Sequence, residues 1–287
     1  MAAFFYILAF ILLLLAFGLV LSHYMTRRQF LSVKASPADV GLAFEEVTFK
    51  TVDGLTLHGW WFPAEGSKRA VISLHGYGDS MDKYLHNVPS LHAAGFNVLL
   101  FDFRAHGRSE GKVTSLGYLE RMDVLGAVEF LHKKEILRIG VIGCSMGGMV
   151  GLLSLPVSEG IDALVSDGSP ARLRQGLIAG LTERRVPAWL AAILAWLMLF
   201  STSLRLGANL FDFEPIAWVG KIAPRPILFI QGEEDQYTTM RDFESLYAAA
   251  GQGKEAWRVT GARHCTVAQQ QPDEYHQRIV SFFSQNL

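Results

Sequence analysis

The stretch Ile142-Gly143-Cys144-Ser145-Met146-Gly147-Gly148 decides how this chain folds. A β-rich run from Leu137 to Ile142 leads into it, and a helix-like segment follows at once. A Gly-x-Ser-x-Gly sequence between a strand and a helix is typical of a nucleophile elbow, a tight turn that exposes the serine hydroxyl. The glycines are needed because side chains two residues before and after the serine would collide in such a turn. The motif predicts a strand–turn–helix unit, and its serine becomes reactive only if other groups converge on it.

Short apolar runs alternate with segments of helical spacing over most of the chain. Strands that are apolar throughout and alternate with helices predict a mostly parallel sheet covered on both faces. Asp53-Gly54 between the first two runs predicts an antiparallel hairpin at one edge. The other predicted strands are Phe44–Thr51, Leu55–Phe62, Ala70–Leu74, Phe96–Phe101, Ile161–Val165, Ile227–Ile230 and Ala256–Val259, and the predicted helices are Lys83–Ala94, Leu116–His132, Met146–Leu155, Phe243–Ala250 and Asp273–Phe283.

A serine hydroxyl is too weak an acid to be a nucleophile at neutral pH, so a histidine must take its proton. That histidine needs a carboxylate to fix its tautomer and to stabilise the charge that it acquires. On this architecture the chain order is nucleophile, acid, histidine, each just past the end of a strand. Asp235 and His264 meet that requirement, so we predict Ser145, Asp235 and His264 as the catalytic residues. Asp167, which follows an earlier predicted strand, is the alternative acid.

Acyl transfer also needs an oxyanion hole, because negative charge develops on the former carbonyl oxygen, and each backbone donor there is worth about 3 kcal/mol. One donor is expected to be the amide of Met146, directly after the serine. The other is expected from Tyr77 in His75-Gly76-Tyr77-Gly78, the loop that follows the strand Ala70–Leu74. The flanking glycines allow that backbone to turn its amide toward the serine.

One segment interrupts the alternation of strands and helices. Between Pro170 and Pro224 about fifty residues contain no predicted strand, which is longer than an ordinary βαβ connection. This segment includes Pro187–Phe200, an apolar, helix-like run with two tryptophans. We predict a helical cap over the active site at about 170–224. Packing against the core and shallow contact with a membrane are the alternatives.

The N-terminus is apolar for the length of a bilayer. Ala2–Ser22 contains no charged side chain, and about twenty apolar residues suffice for a helix to span the hydrocarbon core. A buried core helix rarely stays apolar on every face for that length. A cleaved signal peptide is disfavoured, because no Lys or Arg precedes the run and no Ala-x-Ala site follows it. We therefore predict an uncleaved transmembrane helix.

These features divide the chain into three parts. The predicted parts are a transmembrane anchor over residues 1–24, a tether over 25–43 and a hydrolase domain over 44–287 that carries the cap. Arg27, Arg28 and Lys34 flank only the C-terminal side of the anchor. This asymmetry favours a single-pass protein whose hydrolase domain lies in the cytoplasm.

Composition excludes several classes of function. The formal charge of −1 and the lack of long basic runs argue against nucleic acid as a partner. Histidines and cysteines never gather at metal-ligand spacing, and there is no His-Glu-x-x-His and no paired Cys-x-x-Cys, so we expect neither a metal nor another cofactor. Cys144 and Cys265 are the two cysteines, and they imply no disulfide framework. We interpret each as a small core residue without a redox role.

Five motifs and residue pairs lie along the chain in a fixed order. They are His75-Gly76-Tyr77-Gly78, Asp102-Phe103-Arg104-Ala105-His106-Gly107-Arg108-Ser109, Gly143-Cys144-Ser145-Met146-Gly147, Gly232 with Asp235, and Gly261 with His264. With them the chain from about Phe44 to the C-terminus resembles the α/β-hydrolase superfamily, and within it the branch of carboxylesterases, monoacylglycerol lipases and serine aminopeptidase-like proteins. In that branch the second motif is commonly Asp-x-Arg-Gly-x-Gly-x-Ser, and here Ala105 replaces its first glycine. The resemblance implies an α/β-hydrolase fold in which His75 and Asp102 are structural. We expect the same of His106, because exposed loop histidines seldom have a catalytic role.

Taken together, the residues and the resemblance predict a membrane-anchored serine hydrolase that cleaves carboxylic esters through an acyl-enzyme intermediate. An apolar cap and a membrane anchor suggest lipid-like acyl substrates. A thioesterase or an amidase or peptidase would use the same residues. A non-catalytic binding protein could keep the same fold. Against the last alternative, this chain keeps every group that the chemistry requires.

Overall fold

The computed structural model describes residues 1–29, 31 and 34–287. Within them, eight strands form one sheet. They are β1 (Glu45–Lys50), β2 (Thr56–Phe62), β3 (Arg69–Leu74), β4 (Asn97–Phe101), β5 (Arg138–Cys144), β6 (Ala163–Asp167), β7 (Ile227–Gly232) and β8 (Lys254–Val259). All eight predicted strands are confirmed, and no end differs from its predicted position by more than two residues.

The sheet is mostly parallel, as predicted. Its order is β1-β2-β4-β3-β5-β6-β7-β8. The β1–β2 hairpin and the β2–β4 pair are antiparallel, and every pair from β4–β3 through β7–β8 is parallel. All residues of β4 and β7 are buried, which explains why their sequences are mostly apolar without alternation. The carboxyl ends of β5, β6, β7 and β8 therefore meet along one edge of the sheet.

Helices cover both faces of the sheet. Helices α3, α4 and α8 contribute to one apolar core, and α2 and α10 contribute to the other. In the described residues the α-helices are α1 (Ala2–Thr26), α2 (Val88–Ala93), α3 (Glu120–Lys133), α4 (Met146–Ser154), α5 (Leu173–Glu183), α6 (Ala188–Leu206), α7 (Pro215–Trp218), α8 (Met240–Ala249), α9 (Val267–Gln270) and α10 (Pro272–Asn286).

Four predicted helices differ in extent from the observed ones by three residues or more. Helix α8 begins three residues before the predicted Phe243, and α10 ends three residues after the predicted Phe283. The single helix predicted over Lys83–Ala94 is a 3-10 helix, Met81–Asn87, followed by α2. Pro89 stands at the start of α2, and its ring cannot be accommodated inside a continuous α-helix. Helix α3 begins at Glu120 and not at Leu116, because Leu116 has a φ of 58° and cannot start an α-helix.

The helical cap is confirmed. Helices α5 and α6 lie between β6 and β7 in the chain, and their apolar faces bury Leu177, Ala195 and Met198 together with Leu116 of the main domain. The outer face of α6 carries large apolar side chains at spacings of three and four residues that remain exposed. They are Trp189, Ile193, Trp196, Phe200 and Leu204.

Helix α1 extends to Thr26, two residues beyond the predicted end of the anchor, and packs along α6. The hydroxyls of Ser22 and Thr202 are 2.8 Å apart, and the Arg205 guanidinium donates to Ser22 and Thr26 at 2.8 and 2.9 Å. At Gly18 a Cβ would lie 3.4 Å from the Leu197 carbonyl oxygen. These contacts advance in the same direction along both helices, so α1 and α6 run parallel.

The residues just after α1 are docked on the main domain. Arg27 pairs through its backbone with Val113, and Gln29 pairs with His106. The Arg28 side chain donates to the Gly107 and Gly111 carbonyls at 2.8 and 3.0 Å. A 3-10 helix follows at Pro37–Val40. Part of the predicted tether, residues 30, 32 and 33, lies outside the described residues.

The close approach of β5 and α4 makes Gly143 a test of the fold. A Cβ at Gly143 would lie 2.6 Å from both the Gly147 carbonyl oxygen and the Gly148 amide nitrogen, where backbone cannot move aside. We expect Gly143→Ala to lower the free energy of unfolding by about 1–3 kcal/mol, as overpacking does. Urea denaturation in a fixed detergent measures this change.

Gly180→Ala is the matched control, since a Cβ there would meet only a Tyr237 ring carbon at 3.7 Å. In helix α5 that substitution should stabilise the protein by up to about 1 kcal/mol. A Gly143→Ala variant as stable as the unsubstituted protein would contradict the packing described here.

Candidate active site

Ser145 occupies a strained turn between β5 and α4. Its φ of 53° and ψ of −117° lie outside the common regions for an L-residue, at a cost of about 1–3 kcal/mol. A Cβ on Gly147 would lie 2.5 Å from the Leu74 carbonyl oxygen, so the elbow also needs glycine on its helical side. The turn predicted from the Gly-x-Ser-x-Gly sequence is therefore present, with its serine half-buried.

Asp235 and His264 form the acid–histidine pair predicted from the sequence. Nδ1 of His264 lies 2.7 Å from Oδ2 of Asp235. Because an ionised carboxylate can only accept, Nδ1 carries the proton and Nε2 is left as the basic nitrogen. The carboxylate also accepts from the amides of Tyr237 and Thr238 at 2.8 and 2.9 Å and from the Thr238 hydroxyl at 2.6 Å. These donors fix the carboxylate behind the imidazole.

Ser145 and His264 line the same cavity, which has a volume of about 570 Å³. Among the described residues the Ser145 hydroxyl makes no hydrogen bond, so the serine and the histidine are not in direct hydrogen-bond contact. Catalytic hydrogen bonds of this kind commonly tighten only when substrate binds. The structure thus brings the three predicted residues to one site, with the acid and the histidine already paired.

Asp167, the alternative acid, ends strand β6 beside this site. It is buried, and its Oδ1 has no hydrogen-bond partner among the described residues. Burial raises the pKa of Asp167 to about 7, the nearby His264 opposes that rise, and Asp235 adds to it. The hydrogen bond to Nδ1 of His264 comes from Asp235 and not from Asp167, so the geometry favours Asp235 as the acid.

The two amides predicted for the oxyanion hole lie on segments that contact each other. A Cβ at Gly76 would lie 3.7 Å from Cβ of Ser145, which places the 75–78 loop against the elbow. The Met146 amide belongs to the first turn of α4 and so has no partner within the helix. Neither it nor the Tyr77 amide has a hydrogen-bond acceptor among the described residues. Both donors are free to bind an oxyanion.

The Tyr77 side chain links this loop to the N-terminal helix. Its phenol donates to the carbonyl of Met25, in the last turn of α1, at 2.6 Å, and the Gln29 amide donates to the phenol oxygen at 3.5 Å. Burial raises the pKa of the Tyr77 phenol, so it stays a proton donor at neutral pH. Helix α1 is thereby joined to a loop that we predict to be catalytic.

The three residues expected to be structural lie in the loops around the site, and His106, expected to be exposed, is buried. The Phe103 amide donates to Nε2 of His75 at 2.9 Å, and Nδ1 of His75 donates to the Gly76 carbonyl. Burial lowers the pKa of His75 and of His106 to about 4, so both rings are neutral. Asp102 accepts from the amides of Met81 and Arg108. Ala105, where the resembling branch has glycine, adopts a φ of 57°, a conformation that glycine adopts more easily.

The cavity is walled by the cap, the elbow and, unexpectedly, by α1. Tyr24 and Met25 were not predicted as site residues, because the apolar N-terminal run was interpreted only as a transmembrane helix. Tyr237, whose ring lies 4.9 Å from that of His264, was also missed, although it stands two residues after Asp235. The remaining lining residues include Leu116, Met146, Met149, Pro170, Leu173, Leu177, Arg27, Gln29, Arg184 and Thr238.

The interpretation of the cysteines as unlinked core residues is wrong. Cys144 and Cys265 form a disulfide, with their Cα atoms 6.2 Å apart. The reason is geometric: Cys144 precedes Ser145 and Cys265 follows His264, so residues that must converge bring their neighbours together. The prediction that the serine meets the histidine already contained this signal.

A serine on a strand–helix turn, followed along the sheet edge by a paired aspartate and histidine, defines an α/β-hydrolase. The family model described as "Serine aminopeptidase, S33" matches residues 65–214, which is 150 of the 287 residues. The chain belongs to this family. Its fold and its esterase-like hydrolase class are those predicted from the sequence.

Known proteins resemble the chain over most of its length. Protein YqkD of Bacillus subtilis (strain 168) is 32% identical over 228 residues, which cover 74% of this chain and 72% of YqkD. YfhR of Escherichia coli (strain K12) is 26% identical over 249 residues, covering 83% of this chain and 80% of YfhR. Among solved structures, the Pyrococcus furiosus esterase Pf2001 superposes with a TM-score of 0.76 at 29% identity, covering 91% of this chain and 98% of Pf2001.

Tyr77→Phe tests the hydrogen bond between α1 and the 75–78 loop, which carries one of the two amides predicted for the oxyanion hole. It removes one hydroxyl and leaves the Met25 carbonyl without its 2.6 Å hydrogen bond, while the Tyr77 amide itself is retained. We expect kcat for a soluble ester to fall roughly three- to tenfold with little change in KM, because a small misplacement of catalytic groups acts on the transition state.

Steady-state kinetics of Tyr77→Phe are compared with those of Tyr118→Phe. The Tyr118 hydroxyl makes no hydrogen bond among the described residues, and its ring packs on Phe213. Equal kcat values for both variants would show that the Met25 contact has no part in positioning the loop.

Substituting the two carboxyl groups separately decides which one is the acid. Asp235→Asn removes the acceptor for Nδ1 of His264 and should lower kcat by about 10⁴, because the imidazole then adopts the wrong tautomer. Asp167→Asn should retain most of the turnover. Ester hydrolysis by the purified proteins measures both effects, and a larger loss in Asp167→Asn would reverse the assignment.

Proposed function

We propose that the chain is a membrane-anchored serine hydrolase that cleaves carboxylic esters through an acyl-enzyme intermediate. The observation that carries this proposal is the 2.7 Å pair of His264 and Asp235, which faces the cavity that also contains Ser145. The likeness to Pf2001, a protein described as an esterase, supports ester bonds as the substrate class.

In the proposed acylation, Nε2 of His264 takes the proton from Oγ of Ser145 as that oxygen attacks the ester carbonyl carbon. Asp235 stabilises the imidazolium through the hydrogen bond to Nδ1. The Tyr77 and Met146 amides donate to the oxyanion of the tetrahedral intermediate. The imidazolium then protonates the leaving alkoxide, the carbon–oxygen bond breaks, and the acyl group stays on Ser145.

In the proposed deacylation, His264 takes a proton from water, and the resulting hydroxide attacks the acyl carbon. The second tetrahedral intermediate uses the same two amides. Its collapse releases the carboxylic acid and returns the proton from His264 to Oγ of Ser145. The cycle consumes one water and regenerates every protein group.

The cavity supports acyl substrates of lipid-like character. Leu116, Met149, Leu173 and Leu177 give it an apolar wall that suits a hydrocarbon chain. The described lining residues also include two arginines but neither aspartate nor glutamate, which favours neutral or anionic esters over cationic ones. We propose acyl esters with an uncharged or anionic alcohol portion as the substrate class.

Ser145→Ala tests the nucleophile. We expect it to lower kcat for aryl esters at least about a thousandfold, because residues of a serine–histidine–aspartate unit act together. Ser154→Ala is the control, since Ser154 is a buried serine of the adjoining helix α4 that does not line the cavity. Turnover by Ser145→Ala equal to that of the control would refute the proposal.

Matched ester, thioester and amide substrates with one acyl group separate the activities that share this site. The proposal predicts the highest kcat/KM for the ester. A higher value for the thioester or the amide would assign the chain to the thioesterases or the amidases. Absence of turnover on all three, with Ser145 unreactive toward a fluorophosphonate, would favour a binding protein.

Membrane attachment is supported by two helices of the described residues that are long and apolar enough to span a bilayer. Residues 2–13 of α1 are exposed wherever their side chains are described, which leaves an apolar surface. The exposed apolar side chains of α6, from Trp189 to Leu204, continue this apolar surface alongside α1. We propose that α1 spans the membrane and that α6 contacts it.

We also propose that the hydrolase domain lies on the cytoplasmic side. Arg27 and Arg28 follow α1 directly, and both are held on that domain by the contacts with Val113, Gly107 and Gly111. Their positive charge therefore stays with the domain, as the preference of cytoplasmic segments for arginine and lysine requires.

Membrane attachment and orientation are tested on the full chain with a C-terminal epitope in a bacterial host. We expect the protein to stay with membranes through an alkaline carbonate wash and to be released by detergent, because a spanning helix is not extracted by charge screening. The epitope should resist external protease in intact spheroplasts and be digested after lysis. Release by carbonate would contradict the anchor, and digestion in intact spheroplasts would reverse the orientation.

A further inference from the structure

The disulfide joins the immediate neighbours of two proposed catalytic residues. Cys144 precedes Ser145, and Cys265 follows His264, and the two cysteines have a sequence separation of 121. A Cβ at Gly168 would lie 3.5 Å from Nδ1 of His264 and 3.6 Å from Sγ of Cys265. The bridge therefore lies next to the imidazole and not at a remote part of the fold.

Both ends of the bridge are turns with unfavourable backbone conformations. Ser145 and Cys265 each have a φ of 53°, in the left-handed region that non-glycine residues seldom adopt. Such conformations persist only where the surrounding structure holds them. A covalent bond between the two turns supplies that restraint to both.

Hydrogen bonds do not supply the same restraint. The histidine loop, residues 260–266, is bonded to itself and to the neighbouring acid loop, as in the 2.9 Å bond from the Glu234 amide to the Ala262 carbonyl. The elbow, residues 143–147, is bonded to β6 through the Ser145 amide and the Asp167 carbonyl. In the part of the chain that the structure describes, no hydrogen bond joins the histidine loop to the elbow.

We propose that the Cys144–Cys265 disulfide is a positioning link that holds Nε2 of His264 in reach of Ser145, and that its reduction slows acyl transfer. The inference rests on the proposed serine hydrolase function. In a hydrolase domain on the cytoplasmic side the link also makes turnover respond to thiols, since disulfides in reducing compartments are commonly transient and redox-sensing.

The redox step requires a thiol reductant as co-reactant. Cys144 is 4% exposed and Cys265 is partly exposed, so a thiolate reaches Sγ of Cys265 more easily. Attack there breaks the bond between the two sulfurs, forms a mixed disulfide on Cys265 and releases Cys144 as a thiolate that takes a proton. A second thiol attacks the mixed disulfide and releases Cys265. Two protein thiols form, and the two reductant thiols become one disulfide.

The experiment compares the purified full chain in detergent before and after dithiothreitol, with the double variant Cys144→Ala and Cys265→Ala as the control. We expect no free thiol in the unreduced protein. Reduction should lower kcat for a soluble ester about 10- to 100-fold, the scale of a small misplacement of a catalytic group, with KM changed less than about threefold. The double variant should have the kcat of the reduced protein, and dithiothreitol should not change it. Glutathione disulfide should restore kcat of the reduced protein.

Fluorophosphonate labelling separates positioning from folding. The reduced protein should label at Ser145 to the same final extent as the oxidised protein, but more slowly. Reduction should also change the pH dependence of the labelling rate.

Three results would overturn the link: two free thiols in the unreduced protein, an unchanged kcat after complete reduction, or loss of the labelled fraction, which would indicate a purely structural bridge. Absence of turnover and labelling in both redox states would instead contradict the proposed function.

Discussion

The hydrogen bond between His264 and Asp235 is the interaction on which the proposed chemistry depends. It joins the loops after β7 and β8, two neighbouring parallel strands, so ordinary sheet pairing brings the two side chains within 2.7 Å. Three further donors hold the buried carboxylate of Asp235 in place. Because Nδ1 of His264 donates to this carboxylate, Nε2 is the basic nitrogen of the imidazole. Parallel pairing of β5 with β6 and of β6 with β7 then sets Ser145 at the same edge.

Around this edge the rest of the chain builds an enclosure that includes the N-terminal helix. Helix α1 packs on the cap helix α6 through the hydroxyls of Ser22 and Thr202, and it meets the 75–78 loop at Tyr77. Helix α1, the proposed membrane anchor, is thus also a wall of the cavity. The apolar lining beside it agrees with the lipid-like acyl substrates proposed above.

Much of this arrangement follows from local sequence. Each strand is a short apolar run bounded by turn residues, and parallel strands place their following loops together, so Ser145, Asp235 and His264 were accessible from order and spacing. The need for glycine at positions 143 and 147 was also predicted from the sequence, because the tight turn excludes side chains at both positions. Sequence order alone could not decide between Asp235 and Asp167 as the acid. The 2.7 Å hydrogen bond between Asp235 and His264 in the structure decides for Asp235.

What the sequence did not reveal depends on contacts between distant segments. The docking of α1 beside the cavity has only a faint signal, the small residues Gly18, Ser22 and Thr26 at four-residue spacing, which permit close helix packing. The start of α3 was misplaced because a positive φ at Leu116 has no sequence signature in a leucine. The disulfide was missed because the cysteines were interpreted separately, although Cys144 adjoins Ser145 and Cys265 adjoins His264, two residues that were predicted to meet.

The most direct measurement of the central claim is trapping of the acyl-enzyme. The full chain is mixed with an excess of an aryl ester, quenched in acid within the first turnovers, and digested for peptide mass spectrometry. The account predicts that the acyl group is found on the peptide that contains Ser145, at the hydroxyl of that residue. Continued turnover with the acyl group on another side chain, or with no acylated peptide while water-derived oxygen enters the product directly, would contradict it.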